Sequence, residues 1–444
     1  MCSSDLVASA FAGTPNVLTA TRALMGVGGA LIMPSTLSIL TNVFPAGERA
    51  RAIGVWAGVS GLGIAFGPVV GGTLLDHLWW GSVFLVNVPV VVTALLAGYL
   101  IVPNTRDPSV PRVDAPGAAL SVVGLVSLVY GIIEVPSYGW TSGRILAAFA
   151  LAVVALGAFV AWELHTDHPM LKIQFFRNPR FSAASIAVTL VFFALTGSFF
   201  FLTQELQFIL GFTPLQAGLR IAPIALVLAV AAPTAGRLVE RIGNKAMVAA
   251  GLIVAGYGLL YLATTTTRSG YGHVLVALVL LGAGIGFAIA PATESIMGSL
   301  PVEKAGVGSA MNDTTRQVGG ALGVAILGSV FSSAYAARLA PALTGFPAAV
   351  ARAGGQSLGA ALAVAQRIPG GAGQALGLAA RDSFVHAMDR AFAVGAGFAL
   401  LGALVAVIWL PNRAAPSPEV EVPTGVPAVA PTEEKSEAEL VLSP

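Results

Sequence analysis

The sequence has few charged residues. Of its 444 residues 10% are Asp, Glu, Lys or Arg, whereas ordinary soluble domains have about 25%. Hydrophobic residues make up 56% of the chain. So few charges cannot cover a water-exposed surface, so the composition predicts a polytopic membrane protein. The apolar runs are long and continuous rather than alternating, which favours transmembrane helices over a barrel.

Several kinds of site are also missing. Cys2 is the single cysteine, which excludes internal disulfides and a cysteine metal cluster. The five histidines are scattered without the spacing of a metal site. No Gly-Lys dipeptide occurs, so there is no Walker A loop for ATP. No basic run points to nucleic acid. We therefore expect no enzyme, metal or cofactor, and the chemistry that stays possible is binding, proton transfer and movement.

Apolar windows predict an all-α bundle. Each has about the 20 residues that a helix needs to cross a bilayer. The eleven windows are 17–43, 53–75, 83–102, 115–135, 145–162, 181–204, 215–235, 246–266, 273–297, 306–334 and 388–410. The short apolar stretch Leu6–Ala12 is predicted to be the remnant of a twelfth span.

The distribution of positive charge predicts the orientation of the chain in the cell membrane. Alternate short connections hold most of the Lys and Arg residues, and such connections are cytoplasmic. This places the C-terminus, including the Pro- and Glu-rich segment 411–444, in the cytoplasm as a disordered tail. The same topology places the loop 336–387 on the extracellular side, although this loop contains four arginines. Within it, 348–368 is predicted to form an amphipathic helix at the membrane interface.

The chain contains two similar stretches. Their first glycines, Gly26 and Gly282, are 256 residues apart, and Pro, Thr, Ser and an acid–base pair follow each in the same order. Such a repeat predicts two pseudo-symmetric halves, although chance similarity between Gly- and Ala-rich helices is the alternative. We predict residues 1–102 as the remnant of the first half, 103–180 as two linking spans with a loop, and 181–410 as the second half.

The same spacing implies that about 75 residues precede Met1. Cys2–Leu6 also has the sequence that one frame of a common sequencing adapter encodes. The hypothesis is therefore an N-terminally truncated chain that is inactive as given and active when its upstream part is restored.

A ten-residue motif contains glycines at positions that lie on one helix face. It has the pattern G-x-x-x-G-P-x-x-G-G and consists of Gly63, Gly67, Pro68, Gly71 and Gly72 with their intervening residues. Small residues on one face let a neighbouring helix approach closely. With this motif the chain resembles the major facilitator superfamily, in particular its fourteen-helix drug:proton antiporter branch. The resemblance covers roughly residues 7–410 and implies proton-coupled alternating access.

Two further motifs extend the resemblance. Arg22 begins the pattern Arg-x-x-x-Gly that ends at Gly26, and the resemblance implies a part in proton coupling; an arginine reaching the interface is the alternative. A second motif resembles the family's cytoplasmic loop, which implies a clamp between helices. Its residues are Gly236, Arg237, Glu240, Arg241 and Gly243.

Ionisable residues in or near the spans are candidates for coupling. Asp313 and Arg316 are three residues apart on one helix face and can pair, either for proton coupling or for structure alone. With Arg22, Asp313 and Arg316, Glu294 is the fourth coupling candidate. A carboxylate in an apolar cavity can bind a proton or a cationic substrate, but not both at once, and antiport requires this kind of competition. Glu294 and Glu205 are candidates for such a carboxylate. In the alternative interpretation both side chains reach water at the membrane edge.

We predict four substrate contacts, namely Glu205, Gln207, Met25 and Asn312. The expected function is export of small amphipathic compounds, such as drugs or antibiotics, in exchange for protons. The alternatives are a proton-coupled uptake transporter and an inactive membrane fragment. The expected partners are the substrate, protons and the lipid bilayer, without ATP or nucleic acid.

Overall fold

A computed structural model describes residues 2–43, 63, 66–101, 114–300 and 305–412. Within these ranges the secondary structure is helical, without a strand. The N-terminal helices are α1 (Cys2–Ala10), α2 (Pro15–Val43), α3 (66–77), α4 (Ser82–Leu85), α5 (Asn87–Ile101), α6 (Ala115–Tyr138) and α7 (Gly143–His165). The C-terminal helices are α8 (Pro179–Gln204), α9 (Pro214–Ile221), α10 (Pro223–Ile242), α11 (Asn244–Leu262), α12 (Tyr271–Met297), α13 (Ala305–Leu339), α14 (Ala348–Gln356), α15 (Leu358–Arg367) and α16 (Gly371–Trp409).

Local sequence signals fix several helix ends. Asp114 precedes α6 and accepts a hydrogen bond from the Gly117 N–H at 2.9 Å, so it satisfies a donor that the helix leaves free. The chain leaves α6 at Gly139, whose φ of +80° suits glycine. At α9, Thr213 and Gln216 form a capping box, and Pro214 is the first residue of the helix.

Nine helices within the described ranges are long and apolar enough to cross a membrane. They confirm the all-α polytopic fold, and α2 has 29 residues, beginning two residues before the predicted window 17–43 and ending with it. Of the predicted span 53–75, residues 53–62, 64 and 65 lie outside the described residues, and 66–75 belong to α3. The helix that contains the predicted last span, 388–410, begins earlier, because α16 starts at Gly371. Polar residues such as Arg381 and Asp382 interrupt the apolar pattern there but do not interrupt the helix.

The single interfacial helix predicted at 348–368 is also wrong. Ser357 has extended backbone, with φ at −164°, and separates α14 from α15. Leu358 and Ala361 are fully buried, so α15 packs on the protein rather than presenting an apolar face to lipid. We call the end of the bundle where α14 and α15 lie the cap end, and the end with the connections 166–178 and 243–245 the basic end.

Backbone-to-backbone contacts hold the C-terminal helices together. A Cβ added at Gly251 of α11 would lie 2.6 Å from the Gly284 carbonyl oxygen of α12. Gly319 and Gly323 of α13 face the carbonyl oxygens of Thr189 and Phe193 in α8 in the same way. Small residues at such contacts let membrane helices approach closely. The division into domains at 102 and 180, and the symmetry of two halves, stay predictions.

Candidate functional site

The helix with the glycine motif lies against α9. A Cβ at Gly72 would be 2.5 Å from the Pro214 carbonyl oxygen, and one at Gly218 would collide with the Pro68 carbonyl oxygen. The two helices therefore touch through their backbones. The described contact uses Gly72, whereas no described residue lies within 4 Å of a Cβ at Gly63, Gly67 or Gly71.

A carboxylate in α3 extends this contact toward the cap end. Asp76 Oδ2 accepts a hydrogen bond from Thr213 Oγ1 at 2.8 Å and another from the Leu215 N–H at 3.2 Å. A negative charge at a helix N-terminus interacts favourably with the helix dipole. Asp76 thus joins α3 to the first turn of α9. Asp76 is not predictable from local sequence patterns, because the bond spans 137 residues of chain.

A second polar cluster lies where α8, α12 and α13 meet. Arg316 Nη2 donates to Thr293 Oγ1 at 3.3 Å, and Thr293 Oγ1 donates to Asn312 Oδ1 at 3.4 Å. The Arg316 guanidinium also lies 5.4 Å from the centre of the Phe192 ring. We call Thr293, Asn312 and Arg316 the arginine cluster. It places a cation and two hydrogen-bonding side chains inside the apolar bundle.

The predicted pair of Asp313 and Arg316 is wrong as a direct ion pair. The described ion pair joins Arg338 to Asp382, at 3.0 Å near the cap end. Arg316 points to Thr293 on α12 instead, because Gly319 and Gly323 bring α13 close to α8 and fix its rotation. Asp313 still acts on Arg316 electrostatically.

Glu205 lies deeper than a position at the membrane edge would place it. Only 1% of the residue is exposed, so the alternative that it reaches water is wrong. It opens a π-helical turn in which the Leu210 N–H donates to the Glu205 carbonyl oxygen at 3.0 Å. Its charge interacts with that of Asp389 on α16, a residue that the sequence analysis did not single out.

The other predicted residues lie apart from these clusters. Arg22 and Glu294 are exposed, and Gln207 is half-buried. Met25 is half-buried, and its sulfur accepts a hydrogen bond from Ser9 Oγ at 3.4 Å. The structure brings Asn312 to Arg316 and does not bring Met25 or Gln207 to the same place.

The loop motif lies at the basic end. Arg237 and Arg241 are exposed. Gly243 has a φ of +85°, and the following Asn244 N–H donates to the Asn412 carbonyl oxygen at 3.3 Å. Asn244 Nδ2 also donates to Ser295 Oγ at 3.0 Å. The end of this motif therefore connects α11 to α12 and to the residues after α16.

The pattern Gly-x-Ser-x-Gly occurs at Gly355–Gly359. In hydrolases this pattern follows a strand and exposes a nucleophilic serine on a sharp turn. Here it joins two helices, and Ser357 Oγ accepts a hydrogen bond from the Ala360 N–H at 3.2 Å as the cap of α15. The hydroxyl has a structural role that accounts for the serine.

Comparison with known proteins gives a consistent result. The profile of the Major Facilitator Superfamily matches residues 1–324. The Tetracenomycin C resistance and export protein of Streptomyces glaucescens is 33% identical over 404 residues, which are 89% of this chain and 75% of that protein. The Multidrug resistance protein Stp of Mycobacterium tuberculosis is 36% identical over 338 residues, which are 76% of this chain and 63% of that protein.

Solved structures share the fold at low identity. A bacterial homologue of the human lysosomal transporter Spinster, in an inward-facing and unoccupied conformation, aligns with a TM-score of 0.56 and 17% identity over 94% of this chain and 83% of that chain. A peptide transporter POT aligns with a TM-score of 0.53 and 14% identity, over 91% of this chain and 77% of the other.

Proposed function

Because the chain belongs to the Major Facilitator Superfamily, we propose that it exports small amphipathic compounds, such as drugs or antibiotics, across the cell membrane in exchange for protons. Relatives named as resistance, export and efflux proteins support export over uptake. No covalent chemistry on the substrate is part of the proposal, and the proton gradient replaces ATP as the source of energy.

The arginine cluster is the observation that carries the proposal. An arginine inside a span costs about 3 kcal/mol on insertion scales, so such residues face a cavity or a polar partner and mark transport pathways. Arg316 meets this condition through Thr293 and the Phe192 ring. Asn312 beside it is the proposed substrate contact within the cluster. The negative charge of Asp313 interacts electrostatically with the positive charge of Arg316.

The remaining proposed roles belong to residues outside the cluster. Arg22 and Glu294 take part in proton coupling near the ends of their spans, where both are exposed. Met25, Gln207 and Glu205 contact the substrate from other parts of the transport path. The C-terminus is cytoplasmic, so that the cap end faces outward.

The mechanism is alternating access, in which helices rock around a central path. The contact of α3 with α9 closes the cap end in the conformation described. Opening requires Gly72 to leave Pro214 and Asp76 to leave Thr213. The contact has small residues and two hydrogen bonds rather than a large interlocked surface, so it can separate and re-form.

Transport of a fluorescent amphipathic dye by vesicles with an imposed pH gradient tests the proposal. If the protein is an exporter that exchanges substrate for protons, dye moves in the direction opposite to the proton flow. This movement stops when an ionophore removes the pH gradient. Movement of dye with the protons would instead show an uptake transporter. Dye movement equal to that of empty vesicles would show a membrane protein that does not transport.

A further inference from the structure

Two neighbouring carboxyl groups, those of Glu205 and Asp389, each have one buried oxygen without a hydrogen-bond partner among the described residues. Glu205 Oε2 and Asp389 Oδ1 are both enclosed, and neither has a donor among the described residues. Glu205 is 99% buried, because its exposed fraction is 1%. A buried carboxylate oxygen that lacks a donor costs free energy unless a ligand supplies one.

The packing of α8 on α16 brings the two side chains to the same level. The helices run in opposite directions, since α8 begins and α16 ends at the basic end. The rings of Phe201 and Phe392 are 6.2 Å apart in the interface. Glu205 follows Phe201 by one turn and Asp389 precedes Phe392 by nearly one turn, so both lie one turn closer to the cap end on these faces.

The surroundings of the pair are apolar and aromatic. Phe201 stacks on Phe331 with ring centres 4.7 Å apart, and Phe331 meets Phe384 at 5.1 Å. Phe201, Phe384 and Phe392 are fully buried. Such a wall gives little screening, so two negative charges in it repel strongly.

Neighbouring charges do not neutralise the pair. On α16, His386 bonds to Arg390 at 3.2 Å and Asp382 pairs with Arg338. On α9, Arg220 lies 3.7 Å from the centre of the Phe212 ring. On α8, the charged residue Arg180 lies at the basic end, far from Glu205, and its guanidinium donates to the Gly298 carbonyl oxygen. Among described groups, Asp389 is the one whose charge acts on Glu205.

We propose that Glu205 and Asp389 bind one exchangeable proton between them and form the proton-carrying site of this transporter. One carboxyl group holds the proton and donates it to the facing carboxylate oxygen. Loss of the proton leaves two adjacent charges, and the π-helical turn at Glu205 is where the backbone can adjust to separate them. Asp389 is only half-buried, which gives the proton a route to water.

The inference rests on the proposed function and changes the part of Glu205 from substrate contact to proton carrier. A test that needs no transport uses dicyclohexylcarbodiimide, which modifies protonated carboxyl groups in apolar surroundings. We expect the purified 444-residue chain to be modified at Glu205 or Asp389 at neutral pH, with at most one label per molecule. Absence of label from both, or frequent double labelling, would overturn the proposal.

The Asp389→Asn variant tests the pairing. Removing the neighbouring charge makes the ionised form of Glu205 less unfavourable, so labelling of Glu205 at mildly alkaline pH should fall by about fivefold or more. Glu134→Gln is the matched control, since Glu134 is another half-buried glutamate near the cap end of α6, and should leave labelling unchanged. Equal labelling of Glu205 with and without Asp389 would contradict a shared proton.

Transport in proteoliposomes separates the two proposals, with ethidium as the probe. Asp389→Asn should reduce accumulation driven by a pH gradient by about tenfold, yet keep ethidium exchange at equal pH within about twofold. Loss of exchange to the same extent would show that the pair binds substrate and would overturn the inference. If the unaltered chain moves no ethidium in either assay, the proposed function fails, and the labelling experiment still decides whether the pair holds a proton.

Discussion

Asp76 Oδ2 accepts a hydrogen bond from Thr213 Oγ1 at 2.8 Å and so connects two helices that are distant in sequence. The same carboxylate accepts from the Leu215 N–H, while Thr213 Oγ1 accepts from the Gln216 N–H. Two side chains therefore cap the first turn of α9: Thr213, the N-cap of the helix itself, and Asp76 of α3. This arrangement ties the local stability of α9 to closure of the cap end.

Replacing Asp76 with Ala should favour opening of the cap end. The change removes both hydrogen bonds and the negative charge at the helix N-terminus. In a chain with Cys2→Ser, we expect a cysteine introduced at position 215, which keeps the backbone N–H bond to Asp76, to react several-fold faster with a water-soluble maleimide when Asp76 is Ala. The control is Asp382→Ala, which breaks the exposed ion pair with Arg338 and should leave the rate unchanged. Equal rates in all three proteins would contradict the role of Asp76.

Gly218→Leu should block closure sterically. The added side chain would occupy the position of the Pro68 backbone, and overpacking of this kind typically costs about 1–3 kcal/mol. We expect dye transport to fall by about tenfold or more, because the closed state is disfavoured. Gly397→Leu, at an exposed position of α16, is the matched control, since no described atom lies within 4 Å of its Cβ position. A Gly218→Leu protein as active as the control would refute close packing of α3 on α9.

Arg316→Lys should impair transport although the positive charge remains. Lysine lacks the planar guanidinium that contacts Thr293 and lies beside the Phe192 ring. We expect dye efflux to fall by about tenfold. Arg268→Lys, at an exposed arginine in the turn before α12, should have no effect on efflux. Retention of normal efflux by Arg316→Lys would mean that charge alone suffices at this position.

Gly284→Val should destabilise the C-terminal helices. A Cβ at Gly284 would lie 2.6 Å from the Gly251 carbonyl oxygen, and backbone cannot move aside as a side chain can. We expect a loss of roughly 1–3 kcal/mol in the free energy of unfolding, measured by denaturation in detergent. Gly272→Val lies in the same helix at an open position, and its smaller effect corrects for the change in helix propensity. Equal losses in both variants would show that the contact between α11 and α12 does not limit stability.

Asp114 predicts a pH dependence at the basic end of α6. The hydrogen bond from the Gly117 N–H lowers the pKa of Asp114 below its model-compound value of 3.8, against a smaller opposing effect of burial. A lowered pKa means that Asp114 contributes stability above its unfolded pKa, which is lost as the pH falls through the lower folded value. The Trp162 indole donates to the same carboxylate at 2.8 Å. Tryptophan fluorescence should therefore change in this acidic range, and Asp114→Asn should remove that change. An identical titration in the Asn variant would contradict the assignment.

Local patterns in the sequence predicted much of the fold. Apolar windows located the spans from α6 to α13 because each helix in lipid needs a long apolar run. The same criterion failed at α16, where Arg381, Asp382 and Asp389 lie within one continuous helix. Packing on α15 and α13 stabilises that polar stretch, and a sequence window does not contain this information.

The site was less predictable than the fold. Spacing identified Asp313 and Arg316 as neighbours on one face, yet the rotation of α13 directs Arg316 to Thr293. That rotation follows from contacts between backbones at Gly319 and Gly323, and a single sequence does not reveal them. Asp76 and Asp389 were missed because their partners are more than a hundred residues away in the chain.

The contact of Gly323 with the Phe193 carbonyl oxygen also constrains genetic variation. Every missense change in a glycine codon adds at least a methyl group, so this position has no conservative replacement. Spontaneous drug-sensitive mutants of a functional transporter should accordingly be enriched at Gly319 and Gly323, whereas changes at the open Gly397 should accumulate without phenotype. The contact between α8 and α13 thus limits which substitutions the protein tolerates at these positions.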